Sequence, residues 1–133
     1  MDPNRIIEEV VQATRPRWRD QPELNGITIE LDTSLAEVAL ITATESGLHD
    51  VLMNLLFNAV DAMPSGGEIH IATFRSRDEI RVVVRDTGIG MDAETQRRVF
   101  EPFFTTKADV GTGLGLSTVY STITGWGGHV DLE

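Results

Sequence analysis

The stretch LHDVLMNLLFNAVDAM, Leu48 to Met63, keeps nearly all of its polar side chains on one line. Wound at 100° per residue, Asp50, Asn54, Asn58 and Asp61 fall within roughly an 80° arc. Nearly everything outside that arc is apolar, and a helix this apolar is expected to be largely buried. Asparagine is a poor interior helix former, yet it recurs on the line at Asn54 and Asn58. The stripe is therefore expected to face something polar and sheltered. Its oxygens suit a hard cation or the polar edge of a ligand. The competing explanation is the solvated side of an amphipathic helix.

A second candidate is DTGIGM, Asp86 to Met91, directly after the apolar run IRVVV. On a strand, Ile80, Val82, Val84 and Asp86 share one side, and Arg81, Val83 and Arg85 the other. Asp86 then ends the apolar face at the rim of the core, where a carboxylate wants donors. Gly88 and Gly90 let the backbone turn and a flat ligand come close. An acceptor beside such a floor suits a ring amino group. A plain Asx-turn is the alternative. Asp-Thr-Gly is also the aspartic-protease motif, but Arg85 stands where that motif wants an apolar residue, and the chain is not mostly β.

The third is GTGLGLS, Gly111 to Ser117. It matches neither a P-loop nor G-x-G-x-x-G. It is a glycine-rich turn leading into a helix, where backbone N–H groups and the helix dipole favour an anion, with simple loop flexibility as the alternative. Lys107, the chain's one lysine, lies just upstream in FEPFFTTK and reads as reaching toward that anion. Phe100, Phe103 and Phe104 read as anchors of the loop.

The elements that position these groups follow from patterning. Pro3 to about Arg15 reads as a helix capped by Asp2. RPRWRDQPELNG reads as a polar, proline-broken connection. ITIEL alternates as a strand and VALITA as a second short one. Thr44 to Met63 is the long helix, stopped by PSGG. EIHIATF and EIRVVVRD read as strands joined by a hairpin-like turn. A short helix, DAETQRRVF, begins at Asp92, a long loop follows, and Leu114 to about Thr124 is helical. GGHVDLE reads as the start of a last strand. The order predicts an α/β fold, a two-layer sandwich with helices on one face of a mixed, largely antiparallel sheet.

The 133-residue chain has no cysteine and a net charge of −10. One domain spanning residues 1–133 is the natural expectation. Thiol catalysis and disulfides are excluded, and nucleic acid or an anionic membrane surface is an unfavourable partner. No run of 18 apolar residues exists and the start does not look like a signal peptide, so a cytoplasmic location is expected, with any membrane anchor left to a parent protein. The chain stops at a strand without a closing loop, which suggests a C-terminally truncated domain.

In order, NLLFNAVDAM, DTGIGM, FEPFFTTK and GTGLGLS resemble the asparagine box, first glycine box, phenylalanine box and second glycine box of sensor histidine kinases. The resemblance is to their catalytic ATP-binding domain, of the Bergerat type shared with gyrase, the large heat-shock chaperone and mismatch-repair ATPases. NAVDAM with PFFTTK looks most like the nitrogen-regulation type. The resemblance implies that Asn58 holds Mg2+ between ATP phosphates, that Asn54 is the first box asparagine, and that Asp86 accepts the adenine amino hydrogen. Gly88 and Gly90 shape the adenine wall, and Met91 belongs to the nucleotide site. Asp61, Phe104, Thr105, Thr106, Lys107 and Thr112 join the nucleotide site, and the loop from about Phe100 to Thr112 resembles the ATP lid. Gly111, Gly113 and Gly115 are the phosphate-binding glycines, with Leu114 and Leu116 packed beneath.

Asn54, Asn58 and Lys107 are the catalytic candidates. Gyrase-type ATPases carry a glutamate where Asn54 stands, and an amide cannot take a proton from water. The resemblance therefore implies phosphoryl transfer by positioning, with ATP and Mg2+ as cofactors. The acceptor would be a histidine on a separate dimerisation domain, followed by a response regulator; His49, His70 and His129 lie in other contexts. A stand-alone ATPase or a non-catalytic nucleotide-binding module is the alternative. The family also continues into a final strand that this sequence lacks.

Overall fold

The computed structural model describes residues 1–38, 40–90, 93, 94 and 115–131. The chain falls into two compact units, Met1–Gly90 and Met91–Glu133.

Helix α1, Pro3–Ala13, starts where the sequence places it. The Asp2 side chain accepts from the Asn4 N–H, and proline occupies the first turn, where its missing N–H costs nothing. Ile6, Ile7 and Val10 form its buried stripe. The connection that follows is more ordered than its composition predicts. Pro16–Asp20 winds into a π-helical turn and Gln21–Leu24 into a short helix, α2. Pro16 and Pro22 each sit in a first turn, so they start helical structure here. Trp18 is buried and its Nε1–H donates to the Val11 carbonyl at 3.2 Å, which pins the turn to α1.

Strand β1 is a single run, Ile29–Leu35. The second short strand expected in VALITA does not form among its described residues. Ile41 exchanges its backbone bonds with Met1, and Leu40 is exposed, so this segment spends its polar groups outside the sheet. Helix α3, Glu45–Asp61, is capped by Thr44, whose hydroxyl accepts from the Gly47 N–H at 3.1 Å. It buries Leu48, Val51, Leu52, Leu56 and Ala59. Strands β2, Gly67–Arg75, and β3, Ile80–Asp86, follow.

The described sheet has the order β1-β2-β3 and is mixed. β1 and β2 run parallel, the intervening α3 supplying the crossover that such a pair needs, and β2 and β3 form an antiparallel hairpin. Register places Ile69, Ile71 and Thr73 of β2 opposite Asp86, Val84 and Val82 of β3. Those three β2 residues are buried, whereas Phe74 on the other face is 53% exposed. The face carrying Ile69, Ile71 and Thr73 is thus the more covered one, although Ala72 on the other face is also buried. Among the described residues no helix is long and apolar enough to cross a membrane.

In the second unit, α4 spans Gly115–Gly125 and buries Ser117 and Val119. Gly127 closes it at φ 82°, with its N–H on the Thr124 carbonyl and that of Gly128 on the Ile123 carbonyl. The last strand expected from Gly127 onward does not form among residues 127–131. The expected helix from Asp92 falls almost wholly outside the described residues.

Candidate functional site

Two of the motifs meet in the first unit. The face of α3 that carries Leu48, Leu52, Leu56 and Ala59 is buried, so the line of Asp50, Asn54, Asn58 and Asp61 looks away from the core. Asn54 and Asn58 are half-buried, while Asp50 is exposed. Asp50 also lines a cleft with Ile6, Glu9, Glu45, Ser46 and His49.

The turn after β3 is docked on the end of this helix. A β-carbon on Gly88 would meet the Ala62 carbonyl oxygen at 2.3 Å, and the Ile89 N–H donates to that oxygen at 3.0 Å. Gly88 is therefore required by the approach of protein backbone. Gly90 is required by its left-handed φ of 71°, with open space around it. Thr87 ties the turn to β2: its hydroxyl accepts from the Glu68 N–H at 3.0 Å, and its N–H donates to the Glu68 carbonyl at 3.2 Å.

Asp86 lies where the strand pattern puts it, on the core-side register opposite Ile69, at the exposed end of the strand. Its Oδ1 accepts from the Gly88 N–H at 2.9 Å. This is the Asx-turn, and it does not exhaust the carboxylate. A carboxylate has about four acceptor positions, and the turn occupies one. The turn holds the group in a fixed orientation with acceptor capacity toward solvent.

Asp61 is engaged by Arg17, whose Nη2 lies 3.4 Å from its Oδ1. Sequence patterning does not single out Arg17 or Thr87. Arg17 sits in a connection without periodicity, and only the neighbouring Trp18, an apolar residue in a charged run, hints at an anchored turn. Of the remaining candidates, Gly115 and Leu116 begin α4. Met91, Phe104, Thr105, Thr106, Lys107, Gly111, Thr112, Gly113 and Leu114 lie outside the described residues.

As a metal site the stripe offers the amide oxygens of Asn54 and Asn58. Among the described residues no group of three or more His, Cys, Asp or Glu side chains forms a cage. This donor set suits Mg2+ arriving with phosphate oxygens and waters, the way that ion is usually held.

Residues 43–133 match the model of the histidine kinase-, DNA gyrase B- and HSP90-like ATPase family. The signal transduction histidine-protein kinase AtoS of Escherichia coli K12 is 35% identical over 137 residues, covering 86% of this chain and 22% of AtoS. The catalytic domain of histidine kinase ThkA, solved in a nucleotide-free form, superposes with a TM-score of 0.77 at 31% identity, covering 92% of this chain and 78% of that one. ThkA has also been solved in complex with the response regulator protein TrrA. The mycobacterial sensor histidine kinase MprB gives a TM-score of 0.80 at 25% identity, covering 96% of this chain and 78% of that one. The aspartic-protease reading of Asp-Thr-Gly is overturned by these matches and by the helix-covered sheet.

Proposed function

Because the chain belongs to the histidine kinase-, DNA gyrase B- and HSP90-like ATPase family and is a catalytic domain of the histidine kinase kind, we propose that it holds ATP with Mg2+ along α3 and the Asp86–Gly90 turn for transfer to a protein histidine. The observation that carries this is the docking of Gly88 and Ile89 on Ala62, which joins the asparagine stripe to the aspartate turn. Asp86 accepts the adenine amino hydrogen with the oxygen capacity that its turn leaves over. Asn58, with Asn54 beside it on the helix, offers an amide oxygen to Mg2+, which when bound neutralises charge on the phosphate chain.

The chemistry left to the protein is positioning. An acceptor imidazole nitrogen forms the new P–N bond as the bond from the γ-phosphorus to the ADP oxygen breaks, and ADP leaves. That histidine belongs to a separate helical domain, and a response-regulator aspartate takes the group next. Support for the regulator comes from the ThkA–TrrA assembly among the structural neighbours. Asn54 stands where a hydrolase would need a base, and its amide cannot take the proton of water.

Calorimetric titration with ADP and a non-hydrolysable ATP analogue, with and without Mg2+, tests the site. Mg2+-sensitive binding is expected. A folded sample that binds neither nucleotide sinks the reading, and brisk hydrolysis by the chain alone would replace transfer with an ATPase.

A further inference from the structure

The stripe on α3 bears two carboxylates and two amides and no cation of its own. A nucleoside triphosphate brought alongside adds several negative charges to a chain already at −10. Such a site needs a positive group supplied from elsewhere. Among the described residues, the cation in contact with this side of α3 is Arg17. Its guanidinium carbon stands 5.0 Å above the centroid of the Phe57 ring, and its Nη2 is 3.4 Å from Asp61 Oδ1. Phe57 and Asp61 are four residues apart and so adjacent on the helix.

The surroundings hold Arg17 in place while leaving its charge accessible. It lies in the π-helical turn Pro16–Asp20, a rare geometry that recurs at functional sites. The next residue, Trp18, is only 6% exposed and is hydrogen-bonded to Val11, so the backbone at Arg17 is fixed from below. The Arg17 side chain itself is 47% exposed. Of the nearby arginines, Arg19 pairs with Glu23 at 3.4 Å and Arg5 pairs with Glu9 and Glu45, whereas Arg17 is the one brought against Asp61 of α3. The link to Asp61 is long and partly solvated, the kind of pair that adds little stability and exchanges readily. The Phe57 ring keeps the guanidinium nearby when the carboxylate releases it.

We infer that Arg17 is a specificity-determining cation of this site, its guanidinium shared between Asp61 and the phosphate chain of a bound nucleotide. Asp61 is then a competitor for that cation. The inference rests on the ATP reading and adds to it a residue that discriminates ligands by charge.

The test is titration of the whole chain with adenosine, ADP and a non-hydrolysable ATP analogue at fixed Mg2+. Arg17→Met keeps an unbranched apolar stem on Phe57 and removes the charge. The analogue is expected to bind about tenfold more weakly, ADP to lose less, and adenosine to be unchanged. Arg17→Lys should recover part of the loss. Asp61→Asn should strengthen binding of the analogue more in the wild-type background than beside Arg17→Met, where only relief of charge repulsion remains, a coupling that a double-mutant cycle reads directly. Unchanged analogue affinity in Arg17→Met overturns the proposal. So does an equal loss for adenosine and the analogue, which would make Arg17 a strut. A wild-type chain that binds none of the three removes the ATP reading along with it.

Discussion

A β-carbon on Gly88 would sit 2.3 Å from the carbonyl oxygen of Ala62 and 2.8 Å from its carbonyl carbon. The obstacle is backbone, so no side-chain rotation relieves it. The Asp86–Gly90 turn and the end of α3 share this one contact surface, and the aspartate is held relative to the asparagine stripe through it.

Gly88→Ala should therefore move the turn off the helix. Overpacking of this kind costs about 1–3 kcal/mol. Adenine-nucleotide binding should weaken together with the denaturant midpoint. Gly90→Ala is the contrasting case. Its site is open but its φ is left-handed, so about 1–2 kcal/mol of stability is lost with no steric displacement of Ala62. Equal stability and affinity of Gly88→Ala and the wild type would show that the contact does not position the turn.

Asp86→Asn separates the turn-forming role of Asp86 from its proposed role at adenine. The amide oxygen of asparagine can still accept from the Gly88 N–H, so the turn should persist. What is lost is the charged acceptor proposed for the adenine amino group. Hydrogen bonds to charged groups contribute about 1.5–3 kcal/mol, so ADP affinity should fall by roughly tenfold or more. The thermal midpoint should stay near that of the wild type. Retained affinity would take Asp86 out of the adenine pocket.

Asn58→Ala tests the proposed metal contact. Asn58 is half-buried on the stripe and opposite the buried face of α3, so truncation should leave the core intact. Comparing ADP titrations with and without Mg2+ should reveal the loss: the Mg2+-dependent gain in affinity disappears and the Mg2+-free affinity is kept. An undiminished Mg2+ response would assign the ion to other groups.

The parts of this structure that patterning predicts are those in which one residue's environment follows from its neighbours. α3 is one, because Leu48, Leu52, Leu56 and Ala59 share a face at helical spacing. β3 is another, because its alternation places Asp86 on the core-side register before any partner is known. The misses have long-range causes. VALITA looks like a strand, but Ile41 finds its backbone partners at Met1. RPRWRD looks like a loop, but burial of Trp18 against α1 winds it into a π-turn and carries Arg17 to α3. The closeness of Gly88 to Ala62 is likewise set by how the chain returns on itself, which local spacing does not encode.

Thr73 tests the frame behind the site. It is 1% exposed in the middle of the sheet, yet its side chain is polar. Its hydroxyl accepts from the Ala36 N–H at 2.9 Å and donates to Asn4 Oδ1 at 3.1 Å, while Asn4 Nδ2 donates to the Ala36 carbonyl at 2.7 Å. One hydroxyl thus links the start of α1, the end of β1 and the middle of β2. Thr73→Val keeps the shape and removes both bonds, leaving the Ala36 N–H and Asn4 Oδ1 without that partner. A fully buried group left unsatisfied costs about 1–3 kcal/mol, and these two are only partly buried, so a total loss of roughly 1–3 kcal/mol is expected in denaturant unfolding. Because the network lies apart from Asp86 and Asn58, ADP affinity measured well below the unfolding midpoint should be unchanged. A Thr73→Val chain as stable as the wild type would mean that the three elements are held by apolar packing alone and that the network adds nothing to it.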